Sequence, residues 1–119
     1  MSERLIVLST VQKPEDALRL ARALVEQGLA ACVNIVPGVT SVYRWKGKLE
    51  VQPERLLVIK TRTERFEALR AALVSQHPYE VPEVLALPVA AGHAPYLAWL
   101  DECVGVRESA SSSVSRTKR

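Results

Sequence analysis

The apolar positions of this chain follow two periods, arranged in alternating blocks. Residues 4–10 hold the run Leu5-Ile-Val-Leu8 and read as a short strand. Pro14 opens a helix at its first position, where Glu15 and Asp16 suit the positive end of the dipole. Ala17, Leu18, Ala21, Leu24 and Val25 recur at helical spacing as its apolar stripe, and Gly28 stops it. Residues 30–49 change period. Val, Ile, Thr, Tyr and Trp are frequent there, as a pleated surface prefers. Alternation puts Val39, Ser41, Tyr43 and Trp45 on one face and Thr40, Val42, Arg44 and Lys46 on the other. Pro37-Gly38 marks a bulge or bend in this long strand. Lys46-Gly47 closes a hairpin, with Gly47 supplying a positive φ.

The returning strand covers residues 49–62. Its run Leu56-Leu-Val-Ile59 is apolar on both faces, which predicts a sheet covered on both sides. The chain's own helices cover one side. The other side, and the length of the preceding strand, call for a partner, expected to be another copy of the chain. A second helix starts near Thr63 as N-cap and turns Phe66, Leu69, Ala72 and Leu73 inward. It ends at His77-Pro78. Residues 84–89 form a further strand between Pro82 and Pro88. Pro95 opens a last helix carrying Tyr96, Leu97, Trp99, Leu100 and Cys103 at helical spacing. The order is β-α-β-β-α-β plus a terminal helix. It predicts an α+β, ferredoxin-like sandwich with both main helices on one face of a four-stranded sheet.

Composition adds little to this and excludes more. A chain of 119 residues with 48% hydrophobic and 24% charged residues suits one folded domain, drawn here as residues 1–105. Residues 106–119 are rich in Ser and Arg, with too little apolar content to fold alone, so a disordered tail is expected there. The net charge of +3 equals the three cations among the last four residues, so no basic face is implied and nucleic-acid binding is not expected. No apolar run approaches a membrane span, and Leu5-Ile-Val-Leu8 is too short for a leader core. Cytoplasmic residence is the expectation. Cys32 and Cys103 lie in no metal-finger spacing and read as small buried hydrophobes.

Five separated motifs, in order and register, resemble one family. They are Leu29-Ala-Ala-Cys-Val-Asn34, Ser41-x-Tyr-x-Trp-x-Gly-Lys48, Glu54 followed by Val58-Ile-Lys-Thr61, His77-Pro-Tyr-Glu-x-Pro-Glu83, and Tyr96-Leu-x-Trp-Leu100. Together they cover about residues 4–104 and resemble the divalent-cation tolerance proteins called CutA. The resemblance implies a ferredoxin-like subunit in a tight homotrimer, with long strands paired across subunits. It also implies a role in tolerance of divalent cations, copper especially, and a likeness in architecture to the trimeric PII signalling proteins. In some bacterial members of that family the proposed copper ligands are a cysteine and two adjacent histidines. These positions match Ser9, Gln76 and His77 here, and only His77 is a strong copper ligand.

The residues that could carry chemistry are few. His77 sits at a helix end before a proline. It either bonds the last helix carbonyls or contacts a metal with Glu80 and Glu83 from the same loop. A divalent metal ion, copper first, is the cofactor implied. Lys60 ends an apolar run and either pairs with Glu54 or serves an inter-subunit pocket. Tyr43, Trp45, Tyr79, Tyr96 and Trp99 either pack a subunit interface or line a ligand cleft. His93 is read as capping the last helix. No nucleophile–base motif is present, so catalysis is not expected. Three readings follow: a non-enzymatic homotrimer of copper tolerance, a PII-like trimer binding a small molecule or anion, and a structural or adaptor trimer using its tail.

Overall fold

The computed structural model describes residues 3–105. The expectation for the 106–119 tail lies outside the described residues. The elements run β1 (Arg4–Val11), α1 (Pro14–Glu26), β2 (Cys32–Trp45), β3 (Lys48–Arg62), α2 (Phe66–Gln76), β4 (Leu85–Pro88) and α3 (Ala94–Cys103). The four strands form one sheet in the order β2-β3-β1-β4, every neighbouring pair antiparallel. The α+β class and the β-α-β-β-α-β order with a terminal helix match the sequence expectation.

Local chemistry sets the boundaries. Pro14 stands at the start of α1, and Glu15 and Asp16 fill its first turn. Gly28, at φ +71°, ends it, while the Leu29 and Ala30 amides donate back to the Leu24 carbonyl. The buried stripe of α1 is Ala17, Leu20, Ala21 and Leu24, a strict i, i+3, i+4, i+7 pattern. Leu18 and Val25, expected inward, are exposed because each lies one residue, about 100°, off that stripe. The second helix also begins later than expected. A single 3-10 turn at Thr63–Arg65 precedes α2. Leu69 and Leu73 point inward as expected, with Phe66 and Ala72 packed beside them. The last strand is shorter than expected, because residues 84 and 89 fall outside its ladder.

The β2–β3 hairpin follows its sequence closely. The register breaks between Val36 and Val39, at Pro37-Gly38, with Gly38 at φ +77°. At the tip both Lys46 (φ 50°) and Gly47 (φ 83°) are left-handed, the requirement of a two-residue type I′ turn. The expectation had assigned positive φ to Gly47 alone. This hairpin, with strands of 14 and 15 residues, projects as an arm whose tip contributes nothing to the core cluster.

The core lies between the sheet and the first two helices. Val7, Val11, Leu57 and Ile59 meet Leu20, Leu24, Leu69 and Leu73, all essentially inaccessible to water. Complete burial of each such side chain contributes about 1.5–3 kcal/mol. The alternate residues form the opposite sheet face. Ile6 pairs with Leu87, Leu8 with Val58 and Leu85, and Val36 with Leu56. No side chain of this set reaches full burial, and Val36, Leu85 and Leu87 are exposed.

Helix α3 makes its own small cluster of Ala31, Leu100 and Val104 with Tyr96 and Trp99. Buried charges pin it to the sheet. Asp101 accepts from Arg4 Nη2 at 2.6 Å and pairs with Arg62 Nη1 at 2.9 Å. Burial pushes the Asp101 carboxyl upward, but the bonds from Arg4 and Arg62 outweigh it and hold the pKa below its ordinary value. The cysteines depart from expectation. Cys32 is half-buried and Cys103 is exposed, because Cys103 lies off the inward face that Leu100 and Val104 define. Both are free thiols.

Candidate functional site

A two-residue turn at Lys46-Gly47 fixes which residues meet across the arm. Trp45 opposes Lys48, Tyr43 opposes Glu50, and Ser41 opposes Gln52, all on one face. The loop that follows α2 comes up against this face. Together they border an open cleft of about 390 Å³ lined by Gln12, Tyr43, Trp45, Tyr79, Glu80 and Val81. That volume falls within the range of small-molecule sites.

His77 starts the loop. Its backbone is extended (ψ 139°), as a residue before proline requires. Its ring is buried and bonded at both nitrogens: Nε2 to the Thr10 carbonyl at 2.9 Å, Nδ1 from the Tyr79 amide at 3.1 Å. A carbonyl accepts and an amide donates, so the proton is on Nε2 and the Nδ1 lone pair is taken. The partner is thus a carbonyl of β1, not the last helix carbonyls that one sequence reading assigned. Burial lowers the pKa of the imidazole, against the opposing pull of the Thr10 carbonyl and Glu54.

Tyr79 follows, its ring edge-on to His77 with centroids 4.6 Å apart. Its hydroxyl donates to Glu54 Oε2 at 2.5 Å. Burial, and then the Glu54 carboxylate, raise the phenol pKa far above its usual value, so Tyr79 keeps its proton and donates. Glu54 is itself buried. A separate pair of bonds lies along the same strand face: Gln12 donates to Gln52 at 3.1 Å, and Gln52 to Glu50 at 3.2 Å. Glu83 is half-buried, and burial together with the Glu54 charge pushes its carboxyl up. Glu80 is exposed at the cleft rim. Its Oε1 lies 3.6 Å from Lys46 Nζ, which also stands 5.6 Å from the Trp45 ring centroid.

The sequence-derived candidates therefore separate. Tyr43, Trp45, Tyr79 and Glu80 share the cleft, and Glu54 supports it from behind Tyr79. Lys60 is elsewhere. Six residues of extended strand put it about 20 Å from Glu54, so the expected pairing of the two does not form. Lys60 donates instead to Asn34 Oδ1 and lies 4.0 Å from Cys32 Sγ. Tyr96 and Trp99 meet as a tilted pair, ring centroids 5.4 Å apart, within the α3 cluster. His93 does occupy the N-cap position of α3, where its backbone carbonyl accepts from Leu97 and its side chain makes no capping bond.

Among the described residues, no three His, Cys, Asp or Glu side chains gather as a metal-ligand set. His77, Glu80 and Glu83 do not form one such cluster. Ser9, at the position matching the family's cysteine, is sealed in the core, its Oγ without a hydrogen-bond partner among the described residues. The donor set of the described residues does not fit a resident copper ion. Sequence reasoning missed Gln12, Lys46, Glu50, Gln52 and Val81. The two-residue turn, read as a register, would have placed Glu50 opposite Tyr43 and Gln52 opposite Ser41. Gln12 carried no such signal.

Comparison with known proteins gives one consistent result. Residues 5–103 match the family described as CutA1 divalent ion tolerance protein. The divalent-cation tolerance protein CutA of Thermus thermophilus is 52% identical over 100 residues, which span 84% of this chain and 97% of that one. Human protein CutA is 50% identical over 106 residues, 89% of this chain but 58% of the human protein's length. The solved structure of the divalent cation tolerance protein from Thermus thermophilus superposes with a TM-score of 0.83 at 51% identity. It covers 86% of this chain and 99% of the other.

Proposed function

The chain belongs to the CutA1 divalent ion tolerance family, and from that premise we propose that it serves divalent-cation tolerance as a non-enzymatic, cytoplasmic homotrimer. The observation that carries this reading is the sheet face opposite α1 and α2. Ile6, Leu8, Val36, Leu56, Val58, Leu85 and Leu87 form a largely apolar surface, interrupted by Thr10, Asn34 and Lys60, that this chain's first two helices leave open. A second and third copy, each with its own arm, are the occupants that suit it. Copper is a weakly held cation in this reading rather than a resident cofactor. A copper ion approaching His77 has to displace the Tyr79 amide from Nδ1, and that competition lowers affinity. Glu80 and Glu83 add carboxylate oxygens, which copper favours less than imidazole.

Two measurements test this reading. In a host made copper-sensitive by loss of its own family member, this chain restores growth at inhibitory copper, and Val58→Asp does not. Calorimetric titration of the metal-free protein gives weak copper binding, about micromolar at best, that disappears in His77→Ala. Failure to restore growth, or tight binding that survives the substitution, contradicts the reading.

A second reading has its own support. The aromatic cleft has the size and lining of a small-molecule site. It fits a PII-like trimer that responds to a bound ligand, and the two readings are compatible in one molecule.

A further inference from the structure

We propose that the cleft between the arm tip and the loop after α2 binds a small alkylammonium ion, for which Lys46 is the tethered stand-in. The proposal rests on the second reading, that the cleft holds a ligand, and names the ligand's chemistry.

Three aromatic rings line the cleft, from Tyr43, Trp45 and Tyr79. The face of an aromatic ring attracts a cation through its quadrupole, most strongly for tryptophan. The fixed charge in the lining is the Glu80 carboxylate, and the buried Glu54 stands directly behind Tyr79. The lining itself holds no cation to receive an anion, although Lys46 and Lys48 stand close by. A bare divalent metal is poorly served as well, because no ligand set of three gathers among the described residues. A bulky, weakly hydrated ammonium needs no such set. It asks for ring faces and one carboxylate, and the cleft offers both.

The chain already places an ammonium beside this lining, on Lys46. Lys46 Nζ stands 5.6 Å from the Trp45 centroid and 3.6 Å from Glu80 Oε1, touching both attractive features at once. Its side chain is 71% exposed, so a free ligand displaces it at little cost. The backbone adds an independent observation. Among the described residues Lys46 is the only non-glycine at positive φ, in a turn position that Asn or Gly fills more readily. A lysine held in this unfavourable conformation, with its ammonium over a tryptophan at a cleft mouth, is the arrangement of a tethered competitor.

The test is a titration of the full chain with tetramethylammonium chloride at low ionic strength, against sodium chloride as control. The readout is the indole N–H resonance of Trp45, assigned by its loss in Trp45→Phe. The expected result is a saturable shift. Lys46→Asn suits the turn and removes the tethered ammonium, so it tightens binding about two- to fivefold. Glu80→Gln weakens it, and tert-butanol, a neutral molecule of similar bulk, gives no saturable shift. The proposal is overturned if tetramethylammonium moves Trp45 in neither wild type nor Lys46→Asn, or if tert-butanol binds equally well. Inorganic phosphate separates the two levels. If phosphate alone moves Trp45, the cleft remains a ligand site and the ammonium assignment falls. If neither ion moves it, the ligand-cleft reading falls as well.

Discussion

Both ring nitrogens of His77 are committed inside the subunit, and this changes what the residue is for. It ties the end of α2 to the end of β1 and holds the Tyr79 amide. His77→Ala leaves the Thr10 carbonyl and Tyr79 N–H without that partner, a cost of about 1–3 kcal/mol in urea denaturation. The pH dependence has a definite sign. Burial lowers the folded-state pKa below 6.5, so below that pH the unfolded chain binds more protons than the folded one. The His77 contribution is full above about pH 6.5 and declines as pH falls toward the folded pKa. In His77→Ala this contribution to the decline is lost, and an unchanged curve contradicts the assignment. Tyr79→Phe tests the next link. It removes the hydroxyl that donates to buried Glu54 and lowers stability by about 1–3 kcal/mol. A neutral result would show that water or a neighbour replaces the phenol.

Among the elements, the β2–β3 arm was the most legible and the loop after α2 the least. Alternation, Pro37-Gly38 and Lys46-Gly47 gave the arm its faces, its bulge and its tip, because each is a local property of the backbone. The α1 stripe was read one residue off at Leu18 and Val25, since an apolar residue at a stripe edge looks inward until packing decides. The roles of His77 and Glu54 were not legible. Their partners, Thr10 and Tyr79, are distant in sequence, and only the fold brings them together. The family motifs marked both residues without saying what they touch. The arm itself makes a sharp prediction. Gly47 has φ 83° with open space around it, so Gly47→Val strains only the backbone. A loss of about 1 kcal/mol or more is expected, together with broadening of the Trp45 indole resonance. Lys46→Asn has the opposite sign, since Asn accepts a left-handed conformation more easily.

At the scale of the whole molecule, one chain leaves two things incomplete: a 53 Å body whose arm reaches beyond the core, and an apolar sheet face opposite its first two helices. Isolated apolar residues on a surface are ordinary, whereas a largely apolar face of this kind is the ground for the proposed trimer. In the proposed trimer, strand pairing and burial between copies are expected to supply stability that one small chain lacks. Val58→Asp places a charge in the middle of that face, opposite Leu8, and desolvating it on association is prohibitive. The variant therefore separates the copies while its own helix-side core, formed by the alternate residues of β3, stays intact. Sedimentation equilibrium of the wild-type protein at micromolar concentration is the most direct test of this account. A single species of three times the chain mass is expected, reduced to one chain mass in Val58→Asp. A wild-type protein that sediments as a stable, well-folded single chain contradicts it.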